Sequence, residues 1–181
     1  VRIVVVAMTF AVLAGAFCAR SGNQQSASAA STKWPKEALG ALGEDELVQF
    51  AKALPALDGA LKAAKWETKP QKEGTSPLST LTDLVEGMKV AGINESLKPF
   101  GGWAKIRPTL YKVFAATAAV VIDRTSPDML ERMRQDTTAG GRRSLQDYEF
   151  FRTATRQVPE ANKQLVAKYQ EQLQPLGSLG R

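Results

Sequence analysis

The chain contains no histidine and only one cysteine, Cys18. Without imidazole, Ser-His-Asp and Cys-His catalysis and histidine-based zinc sites are excluded. A single cysteine excludes an intramolecular disulfide, and its place beside an apolar leader leaves the folded part without thiol chemistry. Aromatics are modest at 7%. No Gly-rich phosphate loop, metal-ligand spacing or nucleophile elbow is present. Nor is there strand-like alternation of any length, or a repeat of fixed period. Basic excess is slight. Of the formal +6, Arg2 and Arg20 lie in the acid-free first thirty residues, and the remainder carries 22 bases against 18 acids. Nucleic-acid binding, which uses a dense basic face, is not expected.

What is present is helical periodicity. Trp103 to Arg124 reads WAKIRPTLYKVFAATAAVVIDR. Trp103, Ile106, Leu110, Val113, Thr117, Val120 and Val121 fall on one helical face. Ala115, Ala116, Ala118 and Ala119 leave room for neighbouring helices to come close. This stretch is expected to be the central helix, with Pro108 marking its true start or an early interruption. The 181 residues suffice for one domain with a real core.

The first 34 residues read as a leader and a tether. Ile3 to Phe17 is an uncharged, mostly apolar run behind Arg2. It is shorter than the roughly 20 residues that span a bilayer as a helix, so residues 1–17 suit a signal peptide. Val1 ahead of such a run suggests a GTG start codon, hence a bacterial gene. Three fates stay open: cleavage at Ala14-Gly15-Ala16 or at Ala27-Ser28-Ala29, lipidation at Cys18, or an uncleaved anchor. The bulky Phe17 departs from the small residue that usually precedes a lipidated cysteine. Residues 18–34 are small and polar at first and read as a flexible tether.

Residues 35–175 read as a single helical domain, and 176–181 as a frayed tail. A first helix from about Glu44 to Trp66 carries Leu47, Phe50, Leu54, Leu57 and Leu61 on a narrow stripe, with Pro55 expected to kink or split it. Glu44, Asp45 and Glu46 suit the positive end of its dipole rather than a cation site. Ser76-Pro77 caps a second helix, with Leu78, Leu81, Leu84, Val85 and Met88 inward. Asn94 to Leu97 is expected to start a short helical turn. Ser126-Pro127-Asp128 opens a helix with Met129, Leu130 and Met133 inward. Thr137 to Arg143 reads as a loop, and Ser144 begins another helix with Leu145, Tyr148, Phe151, Thr155 and Val158 on one side. Leu165, Val166, Tyr169 and Leu173 mark the last. The fold class is all-α: a five- or six-helix bundle or orthogonal array.

The strongest binding motif is Gly140-Gly141-Arg142-Arg143-Ser144, which sets two guanidinium groups beside a helix start where backbone N–H groups also attract anions. Arg152 and Arg156 could extend it, while Asp136, Asp147 and Glu149 would neutralise part of the field. As a solvated loop and an ordinary cap, the same motif has no ligand. Trp103 on its glycine hinge, with Met88, Met129 and Met133, could line an apolar groove; plain core packing is the competing reading. Glu86, Asp123, Asp147 and Glu149 are the acids available to a carboxylate-based hydrolase. No catalytic residue, metal site or cofactor is assigned. The expectation is an exported, non-enzymatic binding domain in the periplasm or on the envelope, with a protein or envelope component as partner and possible attachment through a lipid on Cys18. The alternatives are a cell-wall hydrolase and an Arg-mediated binder of anionic lipid or phosphate.

Overall fold

A computed structural model of the chain describes residues 33–66, 76–90 and 92–179. The leader, its processing sites and Cys18 lie outside the described residues. Seven α-helices and no strand occur among the described residues: α1 (Glu44–Ala63), α2 (Ser79–Val90), α3 (Asn94–Leu97), α4 (Trp103–Arg124), α5 (Pro127–Gln135), α6 (Ala139–Ala154) and α7 (Glu160–Lys168). Single 3-10 turns precede α1 and follow α3 and α7. No helix among them is long and apolar enough to cross a membrane.

The expected stripe of α1 is fully buried: Leu47, Phe50, Leu54, Leu57 and Leu61 are each 0% exposed. Pro55 does not split the helix, because it lies on the exposed face, away from the packed stripe. The central helix α4 has the expected bounds, and Pro108 sits inside it rather than at its start. Its N-terminal half buries Trp103, Ile106, Leu110 and Val113 as expected. Towards its C-terminal end the buried residues are Ala115, Ala116, Ala118 and Ala119, while Thr117, Val120 and Val121 are half-buried. The alanines turn inward there because α4 meets α1, α6, α7 and the turn Lys36–Leu39 at once, and only small side chains allow such approach.

Two glycines set where α4 begins. Gly101 and Gly102 have φ of 88° and 80°, in the left-handed region that a Cβ disfavours. They reverse the chain after α3, and the Trp103 N–H then donates to Asn94 Oδ1 at 3.2 Å.

Two polar links tie distant segments to this core. Asn162 on α7 is 1% exposed. Its Oδ1 accepts from the Leu42 N–H at 2.9 Å and its Nδ2 donates to the Gly40 carbonyl at 2.8 Å, so both ends of the amide are satisfied. Glu46 joins α1 to α4: Thr109 donates to its Oε1 at 2.6 Å, and Lys112 Nζ lies 2.9 and 3.0 Å from its two oxygens. Burial alone would raise this carboxyl, but Thr109, Lys112 and the Gly43 N–H outweigh it and hold the group below the usual carboxylate range.

Trp34 and the stretch up to Leu179, at the two limits of the described residues, depart from expectation. Trp34, placed in the tether, packs edge-on to Phe114 at 6.3 Å and tilted on Phe151 at 5.9 Å. The C-terminal segment does not fray over its described part. Gln174–Ser178 forms a 3-10 turn against α1, and Leu173 and Leu179 are buried, because these leucines complete the core beside α1.

Asn162→Ala is expected to cost about 2 kcal/mol in urea denaturation, since it leaves a buried N–H and a buried carbonyl without partners. Glu46 is more acidic folded than unfolded, so its contribution is full above the unfolded pKa and is lost as pH falls through the lower folded value. Glu46→Gln should therefore lower stability at neutral pH and flatten its decline below the normal carboxylate range, as measured by denaturation midpoints across pH.

Candidate functional site

The residues of the proposed anion motif lie on a hairpin formed by α5 and α6. Ser126 caps α5, its hydroxyl accepting from the Met129 N–H at 3.2 Å, and Pro127 occupies the first turn as the sequence implies. The connection is tighter than expected. Of the expected loop Thr137 to Arg143, only Thr137 and Thr138 lie outside a helix: Thr138 caps α6, with its hydroxyl accepting from the Gly141 N–H at 3.0 Å. Asp136 in turn accepts from both the N–H and the hydroxyl of Thr138. This side-chain turn puts the helix cap six residues before Ser144. Gly141 is required there, because a Cβ would lie 2.4 Å from the Asp136 carbonyl oxygen.

This geometry disperses the motif. Gly140 and Gly141 sit in the first turn of α6, and Ser144 donates to the Gly140 carbonyl at 3.0 Å instead of capping. Arg142 donates to the Thr137 carbonyl at 2.6 Å. Arg143 points inward and is 7% exposed, its Nε 3.0 Å from Asp147 Oδ1 in an ion pair. Burial pushes the Asp147 carboxyl above the usual range, against the pull of Arg143. Arg142 and Arg152 are exposed on α6, and Arg156 is exposed in the turn that follows it. Arg152 pairs with Glu149 at 2.7 Å; Arg156 has no acidic partner among the described residues.

The groove residues do not come together. Trp103 and Met88 belong to the main core. Met129 and Met133 lie on α5, outside both buried clusters. Nor is α5 packed as expected. It has no buried residue, Leu130 and Met133 are half-buried, and Met129 is 49% exposed, the only exposed large apolar side chain among the described residues. The cause is that α5 rests chiefly on α6 and has no second helix to cover its apolar side. α6 is itself half-covered: Leu145 and Tyr148, expected inward, are intermediate in exposure. Its firm contact is Phe151, in a small cluster with Leu78 and Ala118 that is separate from the main core.

The other acids are engaged at the surface. Glu86 pairs with Lys89, and Asp123 with Lys163, which also holds Glu160. A shallow open recess of about 180 Å³ lies over that last group. No cluster of acids, cysteine or histidine fit for a metal ion occurs among the described residues.

One signal in the sequence marks the hairpin without reference to its motif. Every cation between Lys112 and Lys163 is an arginine, whereas lysine predominates from Lys33 to Lys112. Arg, Met and aromatics are enriched in binding interfaces, and Lys is depleted. Comparison of the chain with protein-family models, with curated proteins and with solved structures finds no match in any of the three.

If the Arg143–Asp147 pair serves the packing of α6, Arg143→Met and Asp147→Leu should each destabilise by roughly 3 kcal/mol, because each removes one half of an ion pair whose side chains are only 9% and 13% exposed. The double variant should recover to within about 1 kcal/mol of the parent. Chemical denaturation of the four proteins checks this.

Proposed function

We propose that this protein is a non-enzymatic, envelope-associated binding domain whose binding face is the α5–α6 hairpin. The observation that carries the reading is α5 itself: a helix without a buried residue, exposing Met129 at 49% within a segment whose only cations are arginines. An apolar side chain left half-open on a segment whose cations are arginines is suited to a contact that buries it. The apolar run Ile3 to Phe17 and the polar stretch after it support an exported or anchored protein, which puts the partner in the envelope.

A carboxylate-dependent envelope hydrolase is the second reading. The acid that favours it is Asp147, since a carboxyl raised by burial suits a general acid. Turnover of peptidoglycan fragments that is lost in Asp147→Asn, with the fold retained, would support it.

The preferred reading is tested by a photo-cross-linking amino acid at Met129, with one at Lys52, exposed on α1, as control. In the intact envelope, adducts with one defined species should form from position 129 and not from position 52. Equal adducts from both positions, or none from 129, would overturn the assignment of the face.

A further inference from the structure

We infer that the partner of this face is a second copy of the same chain, docked antiparallel along α5 about a two-fold axis; the inference rests on reading the α5–α6 hairpin as the binding surface. The open side of α5 is the first support. Leu130 and Met133 are the only residues of α5 that are not exposed, and they mark the side that meets α6. At about 100° per residue, Met129, Arg132 and Asp128 follow in turn round the helix from that side. All three are exposed, and Met129 is the only exposed large apolar side chain among the described residues. The second support is which charges are engaged. Glu131 and Arg134 pair at 3.7 Å, on the far side of the helix from Met129 by the same spacing. Asp128 and Arg132 form no ion pair among the described residues. The open stripe therefore offers a free acid, a free base and an apolar side chain within about one turn, with no net charge.

The order of these groups selects the occupant. The acid stands towards the N-terminal end of the stripe and the base towards the C-terminal end. A partner of one charge sign would be repelled by one of them. The surface that answers the stripe in full presents a base opposite Asp128, an acid opposite Arg132 and an apolar side chain beside Met129. α5 run antiparallel has that order, so a two-fold contact is complementary to itself. With the axis level with Leu130, Asp128 of each copy faces Arg132 of the other, in two equivalent pairs. The two Met129 side chains then lie about 3 Å apart along the helix direction and cover one another. Nothing in the fold obstructs this approach, since α6 is the main neighbour of α5. A helix of nine residues gives a contact smaller than a permanent dimer needs, so the association is weak and concentration-dependent.

The test is sedimentation velocity of the full chain in a non-ionic detergent, with charge exchange on the stripe. The parent should show a concentration-dependent dimer. Asp128→Arg and Arg132→Asp, each alone, turn two attractions into two repulsions and should raise the dissociation constant about tenfold. Mixing those two variants sets opposite charges across the axis again and should recover dimerisation to within about threefold of the parent, as should the chain carrying both exchanges. Misfolding of a variant would not be repaired by mixing. A parent that stays monomeric at about 0.3 mM, or single variants that associate as tightly as the parent, overturns the inference. Cross-linking from Met129 in the envelope separates that failure from failure of the face. Adducts of twice the chain's mass are expected. Adducts to a different protein overturn self-pairing and keep the hairpin as the binding face; no adduct removes both readings.

Discussion

The close approach of four segments to one helix is the constraint on which this structure depends. α4 buries large side chains along its first half and alanines towards its C-terminal end. A larger residue at Ala115, Ala116 or Ala119, all 2% exposed or less, would force neighbouring backbones apart, because a close-packed interior has no spare volume to absorb it. The leucine stripe of α1 and the aliphatic face of α2 are arranged around that axis. Asn162 then fixes α7 to the segment before α1, and Glu46 fixes α1 to α4, by hydrogen bonds that pay for their own burial.

Beyond this core the packing changes character. α5 has α6 as its main neighbour, and α6, which also meets α4, carries a largely buried ion pair, Arg143 with Asp147, where the main core holds leucine and alanine. A buried ion pair contributes little net stability, because desolvation offsets the attraction. The hairpin is thus held by turn chemistry at Asp136, Thr138 and Gly141 and by Phe151, with modest help from apolar burial. A weakly packed element with an open apolar edge is suited to meeting another surface, and that connects the fold to the proposed role.

Much of the architecture is legible in the sequence because periodicity reports burial directly. The bounds of α4, the stripe of α1 and the Ser126-Pro127 cap all follow from residue spacing. The start of α6 is not legible in the same way. Thr138 and Ser144 are both acceptable caps, and the choice depends on Asp136 bonding to Thr138, a local contact that periodicity does not weigh. Met129 and Leu145 were assigned inward because apolar spacing shows a helix's own preference and not whether a neighbour exists to cover it. The buried position of Arg143 escapes for the same reason: its four-residue spacing to Asp147 is as common on exposed helices. The Arg-for-Lys bias of the hairpin is visible in the sequence, but gains meaning only once those residues are seen to share one weakly covered element.

Native-state hydrogen exchange at low denaturant tests the division between core and hairpin most directly. If α5 is a separable, weakly held element, its amides should exchange through local opening at a free energy well below that of α1 and α4, whose amides should open only with global unfolding. Exchange of α5 amides at the global free energy, in step with α4, would show the hairpin to be an integral part of the core and would contradict the account.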